Sequence, residues 1–380
     1  MHIPDGYLSP ATCATLYVAA APFWYIALQR VKRLLSTRLV PLLSLFAAFS
    51  FVIMMFNLPL PGGTSGHAVG MGIAAIVLGP WASMLAISVA LLIQAIFFGD
   101  GGITAFGANC FNMAIAGSLA AYWVYRAIAG RAAITDTRRV IAGAVAGYVA
   151  INVAALLAAI EFGIQPLWFT DATGAPLYAP YPLSVAIPAM MLGHLTIAGL
   201  AELVVTGGVV AYLQKADPSL LKLTAPNARV AEDGADELAR RGGWRITRSL
   251  WIGLAVLMIA SPLGLLAAGT AWGEWSAEDF TTQQGRQAIA QASGGQLPPS
   301  APSQGPGSGG SPSRLAQLSS IWTAPIPDYA PGWMKSASFG YILSAMIGIG
   351  LIMLIFFTIS AIARVLRGGR GAKAARGGSM

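Results

Sequence analysis

Charge is what this chain has least of. Asp, Glu, Lys and Arg make up 10% of its 380 residues, where a soluble domain carries about 25%. So little charge cannot cover a water-facing surface, which excludes an ordinary soluble globular protein. Histidine is scarcer still, with three residues, and the only cysteines are Cys13 and Cys110. Two thiols so placed build neither a zinc site nor a disulfide framework, and they read as small apolar residues. The sequence also lacks a phosphate-cradling GxxxxGK loop, an HExxH pair and a GxSxG elbow. It therefore has no ATP site of its own and no constellation of a self-contained enzyme. A basic stretch before the first apolar run is missing too. The terminus MHIPDGYLSP thus does not read as a secretory signal, and its residues are expected to remain in the mature protein.

What is present is hydrophobic: 56% of residues, with a mean hydropathy of +0.66. A spanning helix takes roughly 17–25 mostly apolar residues. On that scale the chain predicts an all-α polytopic membrane protein, its nine spans near 11–29, 39–56, 68–81, 83–98, 107–126, 140–160, 184–213, 249–270 and 338–364. The third is short and punctuated by Pro80, so the third and fourth are either two spans or a broken hairpin. The net charge of +8 would suit nucleic acid, but the charges lie in clusters between apolar runs, as positive-inside topology requires. With the N-terminus outside, one inner segment holds Arg30, Lys32, Arg33 and Arg38, and the next holds Arg126, Arg131, Arg138 and Arg139. The third holds Lys215, Lys222, Arg229, Arg240, Arg241, Arg245 and Arg248, and the tail Arg364, Arg367, Arg370, Lys373 and Arg376. Only Arg286, Arg314 and Lys335 fall outside. The C-terminus is thereby expected in the cytoplasm.

Composition then divides the chain. Residues 1–213 form a seven-span module, 214–247 a polar cytoplasmic linker, 248–364 a two-span hairpin with an outer loop at about 271–337, and 365–380 a basic tail. The stretch 291–313 is rich in Gly, Ser, Pro and Gln and is expected to be flexible. Gly143 and Gly147 make a small-xxx-small pattern suited to close helix contact.

The three histidines are His2, His67 and His194. With a free amino terminus, a histidine at position 2 offers three nitrogens in fused chelate rings: the Met1 amine, the deprotonated His2 amide and the imidazole. A fourth nitrogen completes a square, a geometry that favours Ni(II) or Cu(II) over tetrahedral Zn(II). His67 lies in the Gly-rich run Pro61–His67 on the same expected face and is the natural fourth donor. Pro4-Asp5-Gly6 is a turn signature able to fold the terminus back over the helices, and Asp5 can neutralise or orient the ligands. Ser65, Asn109 and Asn112 are expected to order the loops around them. His194 and Glu202, eight residues apart, fall within about 80° on one helix and read as an intramembrane pair, with His194 supporting the site.

Together MHIPDGYLSP, GGTSGHAVGMG (62–72), LGP (78–80), FGDGGITAFGANCFNM (98–113) and GHLTIAGLAELVVTGGVVAYL (193–213) resemble the CbiM/NikM type substrate-binding components of cobalt and nickel energy-coupling factor transporters. The resemblance runs in order over about 1–215. It implies a square-planar nitrogen site on Met1, His2 and His67, Ni(II) or Co(II) as transported substrate, and residence in the cell inner membrane. It also implies partners: a transmembrane coupling component and two cytoplasmic ATPases. The last third resembles the two-span accessory component often fused to the first, although Ser261-Pro-Leu-Gly264 stands where that component has a Pro-Asp-Gly type motif. Ile326-Pro-Asp-Tyr-Ala-Pro-Gly332 looks like its later signature, and no site residue is assigned in this region. The rival reading, left open by the residues alone, is a secondary transporter or channel working without ATPases. Such proteins place substrate near the midplane between internal repeats, and no clear repeat is present here.

Overall fold

The computed structural model describes residues 1–34, 39–222, 224–225, 243–267, 269–295, 313–330 and 333–377. Most of the Gly/Ser/Pro stretch and the middle of the linker lie outside them. Helix α1 (Pro10–Leu34) and α2 (Leu39–Met54) come first. A short hairpin follows, β1 (Leu58–Leu60) and β2 (Thr64–Gly66), with Leu58 opposite Gly66 and Leu60 opposite Thr64. Then come α3 (Met71–Leu78) and α4 (Pro80–Ile93). The third expected span has become α3, eight residues and about 12 Å long at 1.5 Å per residue. A bilayer core of about 30 Å is too thick for it to cross alone. Gly79, at φ 79°, ends α3, and Pro80 starts α4 at a position where a missing N–H costs nothing. Every residue from Met71 to Val77 is buried, so α3 fills the centre of the bundle.

A π-helical turn, Gln94–Phe98, extends α4 to the Gly-rich loop. Beyond the loop, α5 (Phe106–Asn109) runs through a second π turn, Cys110–Gly117, into α6 (Ser118–Ala129). Then follow α7 (Thr137–Gly163), α8 (Gln165–Trp168), α9 (Leu183–Gly193), a third π turn His194–Ala198, and α10 (Gly199–Ala216). Helices α7 and α10 meet along the small-residue stripe, where Gly143 faces Val210 and Gly147 faces Thr206. The expected linker begins as structure: α11 (Ser219–Lys222) buries Leu220 and Leu221. Cys13 and Cys110 are buried and unbridged.

The hairpin helices are α12 (Gly243–Ala260), and, after α13 (Gln283–Ala292) and α14 (Ser313–Leu318), α15 (Ala337–Gly377). Both α12 and α15 pack on α2. Among the described residues, six helices are long and apolar enough to cross a membrane: Pro10–Lys32, Pro80–Phe98, Thr137–Trp168, Leu183–Ala216, Arg248–Leu266 and Ala337–Ile362. Val40–Met54 is apolar but shorter, and the segment 106–129 is interrupted by its π turn. Their lipid-facing sides carry exposed Val18, Leu200, Val204, Val256 and Leu354, as an apolar solvent demands. The chain is an integral membrane protein.

Candidate metal centre

The amino terminus does not trail outward. Residues 1–9 tuck into the bundle ahead of α1, with Met1, His2 and Ile3 all buried. Asn109 clamps Ile3 from both sides: its Oδ1 accepts from Ile3 N at 2.8 Å and its Nδ2 donates to Ile3 O at 3.1 Å. Gly102 N also donates to Ile3 O at 2.8 Å. The Asp5 carboxylate receives the backbone N–H groups of Ile103 (3.1 Å) and Thr104 (2.7 Å) together with the Thr104 hydroxyl. Position 102 must be glycine for this approach, because a Cβ there would collide with the Pro4–Asp5 backbone.

His67 arrives from the opposite side. The β1–β2 hairpin turns at Gly62 and Gly63, both at positive φ, and delivers the chain to His67 just beyond β2. Its Nδ1 donates to Ala68 O at 3.1 Å, which leaves Nε2 with the open lone pair. Glu202 on α10 fixes the chain after it. Its carboxylate accepts from Val69 N (2.8 Å), Gly70 N (2.9 Å) and Gly72 N (3.1 Å), where α3 begins. The His2 and His67 rings lie with centroids 5.0 Å apart at 34°, and the two residues are 0% and 5% exposed. Burial, with His2 and the terminal ammonium nearby, pushes the His67 imidazole down to about 3, so it is a neutral donor at any ordinary pH.

The accessory loop reaches into the same place. Glu274 Oε1 accepts from the Met1 ammonium at 2.9 Å. Asp100 contacts His2 Nδ1 through Oδ1, while its Oδ2 accepts from Tyr329 OH (2.5 Å) and Gln94 Nε2 (3.2 Å). Burial alone would raise the Asp100 carboxyl. The adjacent His2, then His67 and the Tyr329 hydroxyl hold it below the usual carboxylate range instead. Two aromatic clusters anchor the loop. Trp272 and Trp275 pack on Tyr181, with Trp272 also against Phe162, and Tyr7 OH donates to Trp275 O at 2.7 Å. Tyr329 stacks on Phe98 at 4.9 Å. Ser65, buried in β2, pairs with Ala271 in an isolated bridge.

The structure thus brings Met1, His2 and His67 together and puts Asp5, Asn109 and Ser65 around them as loop fasteners. It places Asn112 and His194 in other contacts. Asn112 donates to Glu161 on α7 at 2.8 Å. His194 turns Nδ1 to Met190 O at 2.8 Å, whereas Glu202 serves the His67 loop. A π turn, His194–Ala198, separates the two residues, and both are buried but hold different partners. Glu274 and Tyr329 went unassigned from sequence, as did the roles of Asp100 and Gln94. The Ile326–Gly332 signature contains Tyr329 and the 98–113 motif contains Asp100, whereas nothing local marked Glu274.

The fold and the site define a class: a helical membrane protein with a buried, nitrogen-rich pocket built on its own terminus. The comparisons agree with its membrane character. The family model described as cobalt uptake substrate-specific transmembrane region, CbiM, matches residues 2–220. The fused nickel transport protein NikMN of Rhodobacter capsulatus is 58% identical over 93% of this chain and 95% of its own length. The probable fused nickel transport protein LarMN of Lactiplantibacillus plantarum is 45% identical, over 76% and 82%. The cobalt transport protein CbiM of Geobacter sulfurreducens is 31% identical, over 76% and 79%. A crystal structure described as a transition metal transporter superposes with a TM-score of 0.54 at 50% identity, covering 60% of this chain and 99% of that one. This chain belongs to the CbiM family, as a fused member whose family region is followed by the accessory hairpin.

Proposed function

We propose that this chain is the capture subunit of an ATP-driven importer, binding Ni(II) or Co(II) at its outer face. The nickel and cobalt transport proteins among its relatives support the substrate class. In this reading residues 1–213 hold the ion, 214–247 link to the hairpin 248–364, and 365–380 are a cytoplasmic tail. Nine membrane segments, with the N-terminus outside and the C-terminus inside, keep the basic clusters in the cytoplasm. A transmembrane coupling component and two cytoplasmic ATPases supply the energy, because the chain carries no phosphate-cradling loop.

The observation that carries the reading is the convergence of Met1, His2 and His67 in one buried pocket. Four nitrogens serve as ligands: the Met1 amine, the His2 amide, His2 Nδ1 and His67 Nε2. The fused rings impose a plane, which suits Ni(II) better than Co(II) with its octahedral preference. His67 comes already neutral and oriented, since Ala68 O and Glu202 fix its ring and its loop. The amine and the amide must each lose a proton to bind, so affinity falls with pH. The test is isothermal titration of Ni(II) into the chain with its native terminus and with one glycine added before Met1. Loss of binding in the extended form is expected. Equal affinity in the two refutes the terminal chelate.

A further inference from the structure

Two carboxylates from distant parts of the chain converge on His2. Asp100 comes from the Gly-rich loop after α4 and Glu274 from the outer loop of the accessory hairpin. One ligand atom from each of His2, Asp100 and Glu274 lies within 4.8 Å of the other two. His2 is fully buried, and neither ring nitrogen makes a well-formed hydrogen bond; Nδ1 has only its ion-pair contact with Asp100. Tyr329 and Gln94 both hold Asp100 by Oδ2, which leaves Oδ1 aimed at His2. The four-nitrogen set uses neither carboxylate.

We propose that His2 Nδ1, Asp100 Oδ1 and Glu274 Oε1 form a second, mixed nitrogen–oxygen site, which takes a divalent transition-metal ion still carrying water before it reaches the nitrogen set. The proposal rests on the reading above and gives it an entry step. A hydrated ion enters six-coordinate, and carboxylates with one imidazole and retained waters suit that geometry. Two carboxylates match its double charge where a bare cation would be costly to bury. Glu274 now holds another cation, the Met1 ammonium, at 2.9 Å, so the arriving ion replaces one positive partner with another. Moving to the nitrogen set releases the two carboxylate oxygens and the retained waters and takes on the Met1 amine, the His2 amide and His67 Nε2; the amine and the amide each give one proton to water, while Nδ1 stays bound. Without the accessory loop this first site lacks Glu274 and is incomplete.

Rapid mixing of Ni(II) with the full chain in detergent separates the two sites, because six-coordinate Ni(II) is high-spin and weakly absorbing and square-planar Ni(II) is low-spin. In Glu274→Gln and in Asp100→Asn the low-spin spectrum is expected to form about tenfold more slowly or worse, a typical loss when a focusing charge is removed. Glu274→Asp restores the rate. Asp100→Asn reads the site from the other module, so a Glu274→Gln chain that fails to fold leaves the test intact. Equal rates in the native chain and both variants overturn the mixed site, and the low-spin end point then leaves the nitrogen reading standing. A native chain whose bound ion stays high-spin, and loses it in Glu274→Gln, supports the mixed site and overturns the nitrogen reading.

Discussion

Replacing Glu202 by Gln should weaken Ni(II) binding although residue 202 touches no ligand atom. The carboxylate takes Val69 N and Gly70 N on Oε2 and Gly72 N on Oε1, at 2.8, 2.9 and 3.1 Å. A glutamine of the same size can place its oxygen at Oε2 and keep two of these, now without the charge. Its amide nitrogen then faces the Gly72 N–H, donor against donor. Losing charge assistance costs about 1 kcal/mol per bond, and an unsatisfied buried N–H about 1–3 kcal/mol. The sum is about 3–5 kcal/mol, shared between overall stability and the position of the His67 loop. If about half acts on the loop, affinity falls about 10–100-fold, since each 1.4 kcal/mol is tenfold. Isothermal titration with Ni(II) reads this directly, and thermal melting of the metal-free chain reads the stability share. Affinity within about twofold of the native value, with a melting point unchanged, would refute the argument that Glu202 positions His67.

The other expectations are simpler to state. His2→Ala and His67→Ala each abolish Ni(II) binding by titration, whereas His194→Ala retains much of it, because His194 is engaged with Met190 O. Burial lowers the His67 pKa in the fold from 6.5 to about 3. Its contribution to stability is therefore full above the unfolded value and is lost as pH falls toward the folded one. Melting of the metal-free chain should show about 2 kcal/mol lost between neutral pH and about pH 5, and His67→Gln should flatten that dependence. A melting profile with the same slope in both would remove His67 as the source. For topology, a cysteine at exposed position Ser320 reacts with an impermeant label from outside, while a reporter fused after the last residue is active only in the cytoplasm. Labelling that needs opened cells would reverse the orientation.

How much of this was legible in the sequence differs by element. Long helical runs such as Thr137–Gly163 and Leu183–Ala216 could be read, because about 20 apolar residues have few fates outside a membrane. The stretch 68–81 could not be settled: hydropathy reports that residues avoid water, and α3 avoids it inside the bundle instead of in lipid. The π turn at His194–Ala198 was invisible too. A helical wheel assumes one period, and the extra residue of the π turn changes the angle between His194 and Glu202 from the one the wheel gives.

The site divides in the same way. By itself, the sequence determined the class of the protein, the rarity of its histidines and the chelating potential of a histidine at position 2, since these are properties of composition and of adjacent atoms. Only the tertiary structure decided that His67 meets His2 with ring centroids 5.0 Å apart, that Glu202 holds the His67 loop, and that Asp100 and Glu274 flank His2. Glu274 stands 273 positions from Met1 among ordinary loop residues. No local spacing encodes a contact that exists only because Trp272 and Trp275 anchor the accessory loop over the terminus. Covalent neighbourhood is written in the chain, but which distant charge comes to rest beside it depends on how the two modules pack.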